Sequence, residues 1–329
     1  LPVSREHKAL QPFAGGEEKA ARWEETAHMG GSLVDTLGRI AAEHESTAGH
    51  GRGRVLVGLA GRGIQSSRTP GMHEREARRL GIGFSYLLLD FDQLGLADEA
   101  IGDVVTAAQA AGFHGLNITH PFKQSVIPML DALSPEARAI GAVNTVVFGD
   151  GRTGHNTDSW GFAESFREQM GGVPADTVAM FGAGGAGAAV AHALIELGVG
   201  RLTIIDSDAT KAADLASRMR AAFPDRVEVS TDQAAAVRAA SGVVNTTPVG
   251  MAKYPGTPFD TALLAPEKWV ADIVYFPSET ELLRKAAAIG CRTLPGTGMA
   301  IYQAVRAFEL FTGRKADRSA MADHFEAAA

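Results

Sequence analysis

Lys123 and Asp158 are the side chains of this sequence best suited to move a proton together. Lys123 ends the run Asn117-Ile118-Thr119-His120-Pro121-Phe122-Lys123, and Asp158 ends Gly154-His155-Asn156-Thr157-Asp158. An amine able to lose its proton is a general base, and a carboxylate beside it would hold it in place. Pro121 can open a helix, which puts Lys123 in the first turn. There the positive end of the helix dipole would favour the neutral amine. A lysine at that position breaks a local rule, and such breaks often mark functional sites. The plain alternatives are a solvated surface lysine and an aspartate that only caps the helix after it. Spacing alone does not show that the two residues meet.

Other polar residues are spaced as if to hold a carboxylate or a polyol. In Ser67-Arg68-Thr69-Pro70, the proline biases Thr69 towards an extended conformation. Ser67 and Thr69 would then share one face, with Arg68 turned away, and paired hydroxyls suit a carboxylate or a polyol. A polar helix N-cap before Pro70 explains the same residues. Asn117 and Thr119 alternate along a strand, and Asn144-Thr145 adds an amide and a hydroxyl. Gln303 lies roughly opposite the apolar stripe of Ile301, Val305 and Phe308, facing either a cleft or water. His120 shapes the Thr119–Pro121 turn or touches substrate, while His73, His114 and His155 read as surface or packing residues. Cys291 reads as a plain buried residue. No set of His, Cys, Asp and Glu has metal-ligand spacing, so no metal is expected.

A third pattern concerns a nucleotide. Gly182-Ala183-Gly184-Gly185-Ala186-Gly187 follows an apolar strand-like run and opens a helical one, and Asp206 lies 24 residues after Gly182. That is the context of a dinucleotide fingerprint. Gly182 permits the tight turn, Gly184 lets the backbone approach a pyrophosphate, and Gly187 lets helix and strand pack closely. A glycine turn with no ligand is the bland alternative. A carboxylate at Asp206 suits ribose hydroxyls and repels a 2′-phosphate, and neighbouring Ser207 and Asp208 provide no arginine clamp. NAD is therefore expected over NADP, with Lys211 the one nearby cation that could soften the preference.

The elements that must position these groups alternate. Strands are expected at 54–60, 84–91, 113–119 and 142–148, with helices at 70–80, 98–111 and 121–133. The second half repeats the rhythm, with strands at 177–181, 201–206, 227–230, 242–247, 269–275 and 291–294. Its helices are expected at 186–197, 209–222, 233–240, 280–289 and 299–311. This β-α rhythm predicts an α/β fold of two domains, each a mostly parallel sheet covered by helices. Residues 1–53 differ in composition and form an extension without assigned chemistry, carrying one amphipathic stretch at 32–42. A formal net charge of −7 without a basic run argues against nucleic acid as a partner. One cysteine, and no apolar run near the ~20 residues that span a bilayer, predict a soluble cytoplasmic protein with no membrane partner.

Together, 117–123, 142–145, 156–158, 182–187 and 296–303 resemble the shikimate/quinate dehydrogenase family, from about Arg54 to the C-terminus. The resemblance implies a substrate-binding and catalytic domain (54–157 plus 297–329) and a Rossmann-type NAD domain (158–296), as monomer or homodimer. It maps Lys123 and Asp158 onto the catalytic pair. It maps Ser67 and Thr69 onto the hydroxyls that hold the substrate carboxylate, and Asn117, Thr119, Asn144 and Gln303 onto ring-hydroxyl contacts. Tyr275 matches a tyrosine at the cleft. Thr246, Thr247 and Pro248 match a loop beside the cofactor, and Gly298 and Met299 would border the nicotinamide. Biosynthetic members usually carry Asn-Arg-Thr where this chain has Asp206-Ser207-Asp208, and Ser-Lys-Ser-Pro where it has Ser67-Arg68-Thr69-Pro70. With 296–300, both changes look like the NAD-using quinate/shikimate branch, which oxidises its substrate to the 3-dehydro ketone. The alternatives are an NADP-dependent biosynthetic shikimate dehydrogenase, an aminoshikimate-type dehydrogenase and a non-catalytic metabolite sensor.

Overall fold

The computed structural model describes residues 54–326, with positions 33, 35–39 and 42 before them. Those earlier positions are helical, and Leu37 is fully buried against the core that holds Leu89 and Phe91. The rest of the 1–53 extension lies outside the described residues.

The first sheet runs β2-β1-β3-β5-β6-β4. Its elements are β1 (Val55–Gly61), α1 (Thr69–Arg79), β2 (Phe84–Asp90), α2 (Ile101–Ala110), β3 (Gly115–Ile118), β4 (Ala132–Leu133), α3 (Pro135–Ile140), β5 (Thr145–Phe148) and β6 (Arg152–His155). Strand β1 is an almost continuous apolar run paired in parallel with β2 and β3, as a strand covered on both faces must be. The β5–β6 hairpin adds two antiparallel pairings, and β4 closes the edge in parallel with β6.

α4 (Thr157–Gln169) leads into the second sheet, which is parallel throughout and ordered β12-β11-β10-β7-β8-β9. Its elements are β7 (Thr177–Phe181), α5 (Gly185–Glu196), β8 (Arg201–Ile205), α6 (Ala209–Ala222), β9 (Val227–Val229), α7 (Gln233–Ala239), β10 (Gly242–Asn245), β11 (Trp269–Asp272), α8 (Glu281–Ile289) and β12 (Arg292–Leu294). Counted from β7, the order is the doubly wound 3-2-1-4-5-6 arrangement, whose reversal lies between β7 and β10. Ligands of such sheets bind beyond the carboxyl ends of the strands at that reversal.

α9 (Thr297–Thr312) joins the halves. Met299 lies in the core of the second sheet, while Ala307 and Phe311 pack on Val57, Leu59 and Tyr86 of the first. α10 (Arg318–Glu326) follows, setting Met321 and Phe325 in a small core with Met72 of α1.

Three expectations need correction. Residues 121–133 are not a helix but a string of turns, a single 3-10 turn at Ile127–Met129 and then β4. The reason lies in the hydrogen bonds: the Lys123 carbonyl accepts from Val143 N at 2.7 Å, and Ile127 N bonds Gln124 instead. A helix would need that carbonyl for Ile127. The helix expected at 98–111 is a 3-10 turn at Asp98–Ala100 followed by α2, and the strand expected at 142–148 starts only at Thr145. The short elements β4, α3, β6 and α10 went unread. No helix among the described residues is long and apolar enough to cross a membrane.

Candidate active site

The site begins at the start of α4. Asn156 caps that helix: its Oδ1 accepts from Asp158 N (3.1 Å) and Ser159 N (3.3 Å), and its Nδ2 donates to Ala142 O (3.0 Å). Asp158 therefore does not cap. It sits one residue inside the first turn, where the helix dipole favours its charge by ~0.3–1 kcal/mol. Its Oδ2 accepts from Lys123 Nζ at 2.5 Å, with the side chains only 8% and 19% exposed. With no helix at 121–133, the dipole argument for a neutral Lys123 does not apply. What holds the lysine is its neighbour Phe122, buried against Phe91 at 4.2 Å between ring centroids, and the carbonyl bond to Val143. A Cβ built on Gly185 would lie 3.4 Å from Lys123 Cβ and Cδ. The lysine stem thus runs from the first sheet onto the glycine turn of the second.

A neutral network backs this ion pair. Asn144 accepts from Thr157 N at 2.8 Å and donates to Thr157 Oγ1 at 2.9 Å. Asn117 donates to Asn144 O and Thr145 Oγ1, and it accepts from Tyr86 Oη at 2.7 Å. Both Asn117 N–H groups are thereby committed, leaving one lone pair on Oδ1. Asn144 keeps one N–H without a partner among the described residues.

The remaining polar residues sit around this centre. Thr119 follows β3, its N bonded to Ala60 O at 3.0 Å. Gln303 packs on α4 at Gly161, where a Cβ would stand 3.1 Å from Gln303 Cβ, and it donates to Ala300 O. Tyr275 is 44% exposed, its ring edge-on to Phe325 at 5.8 Å. Crowding by the surrounding protein raises the Tyr275 phenol above its ordinary pKa, with the Lys123 ammonium pulling it down and the Asp158 carboxylate pushing it up. The hydroxyls of Thr69, Thr119 and Tyr275 bond to nothing within the described residues.

Ser67 and Thr69 do not share the face of an extended segment. Arg68 is in the right-handed helical region (φ −87°, ψ −10°), Thr69 begins α1, and Met72 N bonds Arg68 O to close the first turn. Pro70 fits there because its missing N–H has no helical partner to lose. Ser67 Oγ accepts weakly from Thr69 N at 3.4 Å, and no side chain caps the helix. Arg68 has a distinct position that spacing did not reveal. Its guanidinium lies over Phe276 (5.4 Å) and Phe325 (5.2 Å) and donates to Phe325 O.

On the other side of Lys123, the glycine turn has the shape a dinucleotide pyrophosphate needs. Gly182 has φ +104°, which L side chains rarely adopt. A Cβ at Gly187 would lie 2.3 Å from Gly182 O, so only glycine lets α5 sit this close to β7. Gly184, Gly185 and Ala186 are at least partly exposed, and no side chain caps the α5 N-terminus. Its N–H groups and dipole could therefore serve an anion. Asp206 accepts from Ala183 N (2.6 Å) and Asp208 N (2.8 Å), tying the turn to the end of β8. Lys211 is exposed, 3.8 Å from Asp208, whose carboxylate caps α6. Thr246 Oγ1 bonds Phe181 O and Gly182 O, and Thr247 and Pro248 continue that loop. These residues could hold NAD. Gly298 and Met299 are both buried: a Cβ at Gly298 would meet Ser165 Oγ of α4 at 2.1 Å, and Met299 lies in the second core.

The arrangement matches known proteins. A model of the shikimate dehydrogenase substrate binding domain matches residues 59–146, and one of the shikimate 5'-dehydrogenase C-terminal domain matches 296–324. A ThiF family model matches 164–241, within the second half. A Streptomyces avermitilis protein named shikimate dehydrogenase (NADP(+)) is 53% identical over 81% of this chain and 93% of its own length. A Corynebacterium efficiens protein named quinate/shikimate dehydrogenase (NAD(+)) is 48% identical over 80% and 94%. The solved structure of quinate dehydrogenase from Corynebacterium glutamicum in complex with NAD shares 44% identity and a TM-score of 0.78, over 84% of this chain and all of that one. This chain therefore belongs to the shikimate dehydrogenase family of oxidoreductases.

Proposed function

We propose that the chain oxidises quinate, shikimate or both to the 3-dehydro ketone with NAD, in the cleft between its two sheets. The observation that carries the reading is the 2.5 Å pair of Lys123 and Asp158, set directly against the glycine turn. Bound NAD would supply the hydride acceptor. Lys123, as the free amine, takes the proton of the ring hydroxyl while the hydride leaves the same carbon. Asp158 orients that hydroxyl and stabilises the ammonium that results. Ser67 and Thr69 receive the carboxylate. Thr119, Asn144, Gln303 and Tyr275 face the ring hydroxyls, and Asn117 can join them only as an acceptor, through its one spare lone pair. The division into a substrate domain (54–157 plus 297–329) and a nucleotide domain (158–296) belongs to the same proposal, as does a cytoplasmic location.

Asp206 supports NAD, because its carboxylate would repel a 2′-phosphate. A second reading, an NADP-dependent shikimate dehydrogenase, is favoured by the 53% identity to a protein of that name. Steady-state kinetics with quinate and shikimate against both dinucleotides separates the two. The proposal expects kcat/KM with NAD to exceed that with NADP by at least tenfold, and the reverse order would reject the NAD assignment.

A further inference from the structure

The second sheet buries one carboxylate that the proposed reaction does not use. Asp272 ends β11 and is 2% exposed. In the parallel ladder it pairs with Asn245, which pairs in turn with Phe181. Phe181, Asn245 and Asp272 therefore form one row across the carboxyl end of the sheet. The segment leaving each borders the cleft: the glycine turn, the Thr246–Gly250 loop and the path to Tyr275.

Asp272 binds two of these segments. Its Oδ1 accepts from Val274 N (3.0 Å), shaping the turn into Tyr275, and from Asn245 Nδ2 (2.9 Å). Held this way, Asn245 donates its other N–H to Val249 O (2.9 Å) and accepts from Thr247 N (3.0 Å) and Thr247 Oγ1 (2.7 Å). Asp272 Oδ2 accepts from Thr280 Oγ1 (2.7 Å), the N-cap of α8. Gly250, at φ +110°, passes so close that a Cβ would stand 3.6 Å from that oxygen. The groups turned towards Asp272 are an amide, a peptide N–H, a hydroxyl and a glycine, none of which titrates. Among the described residues no cation pairs with it.

We infer that Asp272 is a positioning residue: its ionised carboxylate sets the Thr246–Gly250 loop and the Tyr275 segment in one geometry. Cofactor and ring acid then depend on a single buried group that touches neither. The identity of those ligands rests on the proposed function; the geometry does not. The ionised form accepts from all three donors with the Thr280 hydroxyl donating, whereas a protonated carboxyl must donate through one oxygen, which turns the Thr280 hydroxyl from donor to acceptor or displaces one of the other bonds. Burial pushes the Asp272 pKa up to about 6, while the Thr280, Val274 and Asn245 bonds pull it down. The network should therefore loosen within the mildly acidic range.

Calorimetric titration of the full chain with NAD between pH 7.5 and 5.5 tests this. Affinity should fall about tenfold with a midpoint near 6, and KM for the ring acid should rise in parallel while kcat changes less. Asp272→Asn should bind NAD as weakly at pH 7.5 as the parent does at pH 5.5, with little further change on acidification. Thr280→Val keeps the side-chain shape but removes one bond to the ionised form, so it should move the midpoint upward. An Asp272→Asn protein with parental affinity and pH profile would overturn the inference. If that variant does not fold, an unmoved midpoint in Thr280→Val would do the same. Should NADP bind in place of NAD, the cofactor assignment fails while the same series with NADP still decides the role of Asp272.

Discussion

The two sheets bring polarity to the cleft by opposite means. The first uses side chains: Asn117, Asn144, Thr145 and Thr157 hydrogen-bond one another, and Lys123 pairs with Asp158. The second uses backbone: a glycine turn and an uncapped helix start, braced by Asp206 and Asp272. Side-chain construction demands residue types far apart in the chain. Backbone construction demands a contiguous motif.

The contrast can be attacked most strongly at the ion pair. Lys123→Ala removes the proposed base, and general base catalysis typically contributes ~10²–10⁴-fold. Stopped-flow or steady-state kcat should drop by that much with substrate affinity nearly kept; turnover close to the parent would remove Lys123 from the chemistry.

His73 is the exception within the first half. It is fully buried in α1 among Phe84, Tyr86, Phe308 and Phe311, and neither ring nitrogen has a hydrogen-bond partner. Burial lowers its pKa to about 3, from an ordinary value of 6.5. The unfolded chain therefore binds a proton below pH 6.5 that the native state refuses, so stability falls as pH drops from 6.5 towards 3. At ~1.4 kcal/mol per pH unit, this one group should remove about 3 kcal/mol by pH 4.5. His73→Phe should flatten that limb in urea unfolding followed against pH. An unchanged slope would mean that the imidazole is solvated in the native state.

A smaller effect is expected at Asn144. Replacing it with alanine strips Thr157 N of its acceptor, and an orphaned buried donor costs ~1–3 kcal/mol. A lower Tm should accompany weakened activity, because Asp158 follows directly in the same turn. The smallest effect tests the backbone half. Lys211 is exposed and only loosely paired with Asp208, so Lys211→Ala should change stability by no more than ~0.5 kcal/mol and leave the NAD:NADP ratio alone. A marked shift in that ratio would show that a side-chain cation takes part in selecting the dinucleotide.

The same contrast explains what could be read from the sequence. The glycine turn, its strand and helix, and Asp206 were legible because the device is local: six consecutive residues and one carboxylate at a strand end. Most strands and helices of the second half lay within a few residues of their expected positions for the same reason. In the first half Lys123 and Asp158 do meet, but local rules misjudged how the segments around the predicted residues are held. Pro121 suggested a helix that does not form: the Lys123 carbonyl accepts from a distant amide, Val143 N, and Ile127 N turns to Gln124 instead. Pro70 suggested an extended Thr69, whereas the turn at Arg68 starts a helix. Asp272 carried a faint signal, a carboxylate ending the apolar run Trp269-Val270-Ala271, yet nothing nearby in sequence announces its partners Asn245 and Thr280. Arg68 reaches Phe276 and Phe325 only through the fold.

The path of α9 has an implication for how the chain is made. Val57, Leu59 and Tyr86 emerge from the ribosome early, but Ala307 and Phe311, which cover them, come more than 200 residues later. The second sheet, continuous in sequence, can close during synthesis, while the first keeps an oily face bare until α9 arrives. Exposed apolar surface on a waiting intermediate invites aggregation. Shortening the protein before residue 297 would leave that face permanently open, so the substrate half cannot be obtained as a simple N-terminal fragment.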